Sequence, residues 1–84
     1  MYLHAGNNKN IRIASIIGIF DMDTATVSSE TKKFIRKCDR DGKAVYISEE
    51  IPKSFILCDD GNIYVSQISP SSLCGRIPKK YKMI

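Results

Sequence analysis

The sequence predicts a small α+β domain: a mostly antiparallel sheet of about five strands, one main helix after the second strand, and a short C-terminal helix. Short stretches rich in β-branched and aromatic residues recur along the chain, with turn signals between them. One segment instead has its apolar residues at helical spacing. A chain of 84 residues provides one thin core, so we expect a single domain over residues 1–77 and a basic tail over residues 78–84.

The first two strands are predicted near the N-terminus. Met1–Ala5 has the pattern of a short strand, and Gly6–Asn8 is a turn signal. Ile11–Phe20 contains the second strand, and its second half, residues 16–20, is apolar on both faces. A strand of this kind either lies inside a sheet or is covered by a partner subunit.

The main helix is predicted over Glu30–Arg40, after a polar connection at Asp21–Ser29. Val27 is a candidate hydrophobic staple before the helix, and Gly42 is well placed to end it. The apolar stripe of the helix consists of Phe34, Ile35 and Cys38. The rest of its surface is basic, and we interpret it as a solvated face rather than a phosphate-binding face; its residues are Lys32, Lys33, Arg36, Lys37 and Arg40.

The second half of the chain predicts three more strands. Lys43–Ser48 is the first, and Ser54–Cys58 and Ile63–Ile68 form a hairpin whose two-residue loop is Asp60–Gly61, with both loop residues at positive φ. Pro52 suits the first position of a strand because it fixes φ and lacks an N–H.

A short final helix is predicted after these strands. Ser69 is its cap and Pro70 lies in its first turn, while Pro78 ends it.

Composition excludes several classes of function. The longest nearly apolar run, Ile13–Phe20, is far shorter than the roughly 20 residues of a membrane-spanning helix. The N-terminus lacks the basic-then-apolar order of a signal peptide, so we expect a cytoplasmic protein without a membrane partner. The net charge of +4 is compatible with binding to phosphate backbones.

The cysteines do not predict a cofactor. Cys38, Cys58 and Cys74 form no C-x-x-C pair, and two of them lie inside apolar patterns, where free thiols pack as small hydrophobes. A zinc site built from the three cysteines and His4 is the alternative, but no two of these residues have the short spacing of zinc ligands. We therefore expect neither a metal nor another cofactor.

One stretch resembles an enzyme motif. Ile16–Thr24 ends an apolar strand with Asp-x-Asp-x-Thr, similar to the first motif of the haloacid dehalogenase-like phosphotransferases, in which Asp21 and Asp23 would be catalytic. That fold needs a parallel doubly wound sheet, for which 84 residues are too few. Acidic residues just before a helix also cap it or favour its dipole. We expect no enzyme and no small-molecule substrate.

Four segments together resemble a known family. The stretches MYLHAGN, IIGIFDMDTATVSSETKKFIRK, IPKSFIL and IYVSQISPSSL, in this order and spacing, are similar to the RemB-like branch of the bacterial extracellular matrix regulatory (RemA/RemB) proteins. The resemblance covers the chain from Met1 to about Arg76. It implies a DNA-binding transcription regulator of biofilm matrix genes, associated with the nucleoid. It also implies a homo-oligomer, since the RemA-like branch forms closed rings that present a repeated basic surface to double-stranded DNA.

The resemblance also directs attention to particular cations. Where the RemA-like branch carries arginines, this chain has Ser15, Glu50 and Ile51, and Lys53 alone keeps a basic residue in the corresponding place. The candidate DNA-binding residues are Lys9, Arg12, Lys53 and Arg76. Because Glu49 and Glu50 beside Lys53 would repel phosphate, a self-assembling protein–protein interaction module without DNA binding is the alternative function.

Overall fold

The protein is an α+β structure, as the sequence predicts, but its strands form two sheets rather than one. The computed structural model describes residues 1–25 and 27–78. Its strands and helices are, in chain order, β1 (Tyr2–His4), β2 (Asn10–Arg12), β3 (Ile16–Asp21), α1 (Met22–Ala25), α2 (Ser29–Arg40), β4 (Ala44–Tyr46), β5 (Ser54–Cys58), β6 (Ile63–Ser66) and α3 (Pro70–Gly75). Strands β1 and β2 form a small antiparallel sheet, and the larger sheet has the order β3-β5-β6-β4.

The larger sheet is mostly antiparallel and is covered on both faces. Strand β5 pairs antiparallel with β3 and with β6, whereas β4 pairs parallel with β6. Phe55 in β5 and Val65 in β6 pack with Cys38 of α2. On the opposite face, Ile56 packs with Leu73 of α3 and with residues of the small sheet. Alternation along β5 therefore supplies two cores, one on each face.

The predicted second strand is divided in the structure. A single 3-10 turn at Ile13–Ser15 separates β2 from β3. The amide of Ile13 donates to the carbonyl of Met1 at 3.1 Å, which closes the small sheet before the chain enters the larger one. The continuous strand predicted over Ile11–Phe20 is therefore wrong, because its two halves belong to different layers.

Strand β3 also lies at an edge of the larger sheet. The first explanation for its two apolar faces, a place inside the sheet, is therefore wrong. The side chain of Ile17 remains 61% exposed at this edge. Coverage by a partner subunit stays open.

Two local predictions need correction. The hairpin turn is longer than predicted: the amide of Gly61 donates to the carbonyl of Cys58 at 3.0 Å, and Gly61, but not Asp60, has positive φ. Such a turn requires the left-handed conformation at its last residue only, and glycine adopts it without a Cβ clash. Val27 is 82% exposed, so it is not a staple for α2.

Other local predictions are confirmed. Helix α2 ends at Arg40, and Gly42 follows with φ +72°. The hydroxyl of Ser69 accepts from the amide of Ser72, so it caps α3 as predicted. Strand β5 has the predicted bounds. The predicted tail falls mostly on residues 79–84, which lie outside the described residues.

Candidate nucleic-acid interface

Lys53 lies on a backbone that is held from two sides. Its amide donates to the carbonyl of Ser66 at 2.9 Å, and its carbonyl accepts from the amide of Met22 at 3.0 Å. The segment before β5 is thus tied both to the end of β6 and to the start of α1. The Lys53 side chain is exposed. A fixed backbone with a free side chain suits contact with an external anion.

The surroundings of Lys53 are mixed in charge. A shallow cavity is lined by Lys53, Glu49, Glu50, Ile51 and Gln67. Carboxylates next to the lysine oppose the approach of phosphate. The Oε1 atom of Gln67 is buried and has no hydrogen-bond partner among the described residues. Sequence reasoning did not single out Gln67, since nothing local shows that its amide turns inward.

The other three candidate cations surround the small sheet. Arg12 is exposed on β2, opposite Tyr2 of β1. Lys9 directly precedes β2, and its Nζ is 5.0 Å from the centre of the Tyr64 ring. Arg76 donates through Nη1 to the carbonyl of His4 at 2.8 Å. The structure brings Lys9, Arg12 and Arg76 to one layer, whereas Lys53 is held by the larger sheet.

These contacts limit how each cation can meet DNA. A guanidinium has five N–H donors, so Arg76 retains donors after bonding to His4. The ammonium of Lys9 is attracted to the face of the Tyr64 ring, and the Lys9 residue is half-buried. Arg12, Lys53 and Arg76 are exposed, whereas Lys9 is half-buried.

The basic residues of α2 are all exposed, as the solvated-face interpretation expects: Lys32, Lys33, Arg36, Lys37 and Arg40. Exposure alone does not show that these side chains bind a partner. Helix α2 uses Ile35 and Cys38 to pack on the sheet.

The Asp-x-Asp motif has a structural role in this fold. Oδ1 of Asp21 accepts from the amide of Asp23 at 2.9 Å and from the amide of Thr24 at 3.2 Å. Asp21 thereby caps α1, which the sequence predicted only as a polar connection. An aspartate that ends an edge strand and directly precedes a helical turn is well suited to this position.

The thiols behave as core groups at two positions. Cys38 and Cys58 are buried and Cys74 is exposed. Burial, with smaller contributions from Asp60 and Asp59, raises the pKa of the Cys58 thiol to about 11. Within residues 1–25 and 27–78, no three His, Cys, Asp or Glu side chains converge as a metal site. The described chain also has no helix long and apolar enough to cross a membrane.

Comparison with known families agrees with the resemblance seen in the residues. Residues 2–77 match the family model RemA-like, described as extracellular matrix regulatory protein A-like. The chain belongs to the RemA-like family. No curated protein matches the chain. Among the described residues, the RemA-like match contains β1 to β6 and α1 to α3, and all four candidate cations lie within it.

Proposed function

We propose that this RemA-like chain is a RemB-like, DNA-binding transcription regulator of matrix genes that acts as a cytoplasmic, nucleoid-associated homo-oligomer. The observation that carries the proposal is the family match over residues 2–77. The positive charge that would attract DNA comes from a net charge of +4 and from exposed cations that include Arg12 and Lys53. Lysine and arginine bind DNA chiefly through phosphates, which gives affinity with little base readout.

Assembly makes such weak contacts effective. One subunit offers only a few cations in one layer, around Lys9, Arg12 and Arg76. An oligomer, such as a ring, repeats each contact along the duplex, and linked contacts multiply affinity steeply. Recognition would then depend on backbone contacts and duplex bending more than on base sequence.

A fluorescence titration of labelled duplex DNA at several salt concentrations tests this function. We expect tight binding at low salt and a logarithmic salt slope that grows by about 0.9 for each phosphate contact. Lys53→Glu should weaken binding roughly tenfold at low salt, because a phosphate contact is replaced by repulsion. The absence of binding at low salt, or binding that ignores salt, contradicts the proposal.

Lys33→Glu is the matched control, because it makes the same charge change on the exposed face of α2. We expect it to weaken binding less than Lys53→Glu does. If Lys33→Glu has the larger effect, the helix face rather than the Lys53 segment contacts DNA.

The second candidate is a self-assembling interaction module without DNA binding. The glutamates that line the same cavity as Lys53 favour it, since they lower the local affinity for phosphate. Under this function the purified protein forms oligomers or retains a protein partner, carries no nucleic-acid absorbance, and does not shift duplex DNA at any salt concentration.

A further inference from the structure

Helix α2 carries a continuous stripe of positive charge on the side that faces away from the sheet. At 3.6 residues per turn, its five cations fall within an arc of about 140° and over a length of about 12 Å. The centre of this arc lies opposite Ile35 and Cys38, which pack on the sheet. The basic stripe consists of Lys32, Lys33, Arg36, Lys37 and Arg40, all of them exposed.

The two carboxylates of α2 lie at the margins of the basic stripe. Glu30 lines the hollow between α2 and β3. Burial and the Asp39 carboxylate raise the pKa of Tyr46 in β4, which places Asp39 on the β4 side of the helix. Among the described residues, no carboxylate forms an ion pair with a cation of the stripe. With five cations and two carboxylates, these twelve residues hold a net charge of +3, out of +4 for the chain.

A second positively charged surface lies on the opposite side of the larger sheet. Strand β2 packs Ile11 into the core, so the next residue, Arg12, points away from the larger sheet. Arg76 joins the same layer through its bond to the carbonyl of His4. The sequence has no carboxylate in residues 1–15 or in residues 63–78. This layer therefore attracts phosphate from the side opposite to the basic stripe.

The carboxylates are concentrated between these two surfaces. Seven of the nine lie in β3 or in the connections between elements of the larger sheet: Asp21, Asp23, Asp41, Glu49, Glu50, Asp59 and Asp60. The molecule is 24 Å across in its shortest dimension. Because DNA is stiff over tens of base pairs, a duplex that contacts one of the two surfaces leaves the other free.

We propose that the basic stripe of α2 binds the phosphate backbone of a second DNA duplex, so that the chain joins two duplexes across its opposite faces. The inference rests on the DNA binding of the proposed function and adds a second surface to it. It gives the stripe a role beyond the solvated face that the sequence alone suggests, because the structure places the stripe opposite Arg12 and Arg76. Lysines and arginines on successive helical turns neutralise phosphates without reading bases.

The composition of the helix favours a nucleic acid over an anionic membrane. A helix that lies on a bilayer buries an apolar face in it. The apolar side of α2 instead packs on the sheet through Ile35 and Cys38, and no apolar residue lies within the arc of the basic stripe. Cations without apolar neighbours bind phosphates through charge and the release of counterions, so binding at the stripe should be lost at high salt.

Co-capture of two duplexes tests the second surface. One duplex is fixed to beads, and a fluorescent duplex of different sequence is added with the protein at low salt. We expect the unchanged protein to retain the fluorescent duplex on the beads. Lys33→Glu should need about tenfold more protein for the same retention, because it replaces a phosphate contact by repulsion. In a titration of a single duplex this variant should lose less, since the first surface is intact.

Lys43→Glu is the matched control for the co-capture experiment. It makes the same charge change at an exposed lysine that lies beside Gly61, outside the basic stripe. We expect it to retain the second duplex as well as the unchanged protein does. Both substitutions are at exposed positions, so circular dichroism should show an unchanged fold.

Each other outcome overturns the inference. It fails if protein that binds one duplex does not retain a second, or if Lys43→Glu loses retention as much as Lys33→Glu does. It also fails if Lys33→Glu retains the second duplex fully, which would assign the joining to repeated copies of the first surface in an oligomer. Binding to phosphatidylserine vesicles that Lys33→Glu abolishes, without retention of a second duplex, would assign the stripe to a membrane. Failure to bind even one duplex contradicts the proposed function itself, and the single-duplex titration shows this separately.

Discussion

At the scale of single residues, buried serines join parts of the fold that are distant in sequence. The hydroxyl of Ser66 donates to the carbonyl of Ala5 at 2.8 Å and accepts from the amide of Ile68 at 3.1 Å. Ser54, which is also buried, donates to the carbonyl of Ile68. These bonds satisfy backbone groups that neither sheet pairs. They fasten the end of β1 to the end of β6.

Ser66→Ala should lower the free energy of unfolding by about 1–3 kcal/mol, because it leaves the buried carbonyl of Ala5 and the partly buried amide of Ile68 without their partner. Urea unfolding followed by circular dichroism measures this loss. Ser29→Ala, at an exposed serine, serves as the control and should change stability by less than about 0.5 kcal/mol. A loss no larger than that of the control would show that water replaces the Ser66 hydroxyl.

The Cys58 thiol makes stability depend on alkaline pH. Burial raises its pKa from 9.0 to about 11, so the folded protein keeps the thiol neutral while the unfolded chain ionises first. The stabilising effect is complete below pH 9 and is lost as pH rises towards 11. We expect the free energy of unfolding to fall by up to about 2 kcal/mol across this window.

Urea unfolding at several pH values between 8 and 11 measures this fall. Cys58→Ala should make it shallower, with a remainder from Cys38 and Tyr46, whose pKa values burial also raises. Cys74→Ala changes an exposed thiol and should leave the slope unaltered. An identical slope in the Cys58 variant would assign the pH dependence to other groups.

At the scale of elements, helices α2 and α3 differ in how their N-termini are capped. Both α2 and α3 have serine at the cap position, but only Ser69 accepts a hydrogen bond from its helix; the Ser28 side chain makes no capping bond. Helix α3 has six residues and carries the fully buried Leu73. So short a helix depends on its cap and on packing, because its own hydrogen bonds are few.

Ser69→Ala should therefore lower the free energy of unfolding by about 1 kcal/mol, through the amide that it leaves without an acceptor. Ser28→Ala is the matched control at the other cap and should be close to neutral. Thermal and urea unfolding of the two variants give the comparison. Equal losses of unfolding free energy in the two variants would mean that the capping hydrogen bond of Ser69 does not stabilise the protein.

At the scale of the whole molecule, the fold buries two cores but leaves the end of β3 open. The larger sheet has α2 on one face and the small sheet with α3 on the other. The exposed side chains of Ile17 and Phe20 in β3 show that this cover is incomplete near the edge. A small chain gains buried area by association.

If assembly supplies that area, thermal stability should depend on protein concentration. Only the folded chain assembles, so mass action should raise Tm with each increase in concentration. Differential scanning calorimetry over a wide concentration range measures the shift. A constant Tm for the unchanged protein would contradict self-association of the folded chain.

Sequence alone determined the elements whose signals are local. The bounds of β5, the end of α2 before Gly42 and the cap at Ser69 all depend on neighbours a few residues apart, and all are confirmed. The candidate residues were predictable as cations, because residue type decides charge, whereas the half-burial of Lys9 beside Tyr64 was not. Family membership followed from the order and spacing of four segments.

Only the tertiary structure decided which of these parts meet. Nothing local shows that Ile11–Phe20 divides between two sheets, that β3 lies at an edge, or that β4 runs parallel to β6. The bond from Arg76 to His4 and the one from Ser66 to Ala5 join residues 72 and 61 positions apart. Strand patterns specify which residues face a core, but not which neighbour lies across it. That choice comes from the packing of the whole chain.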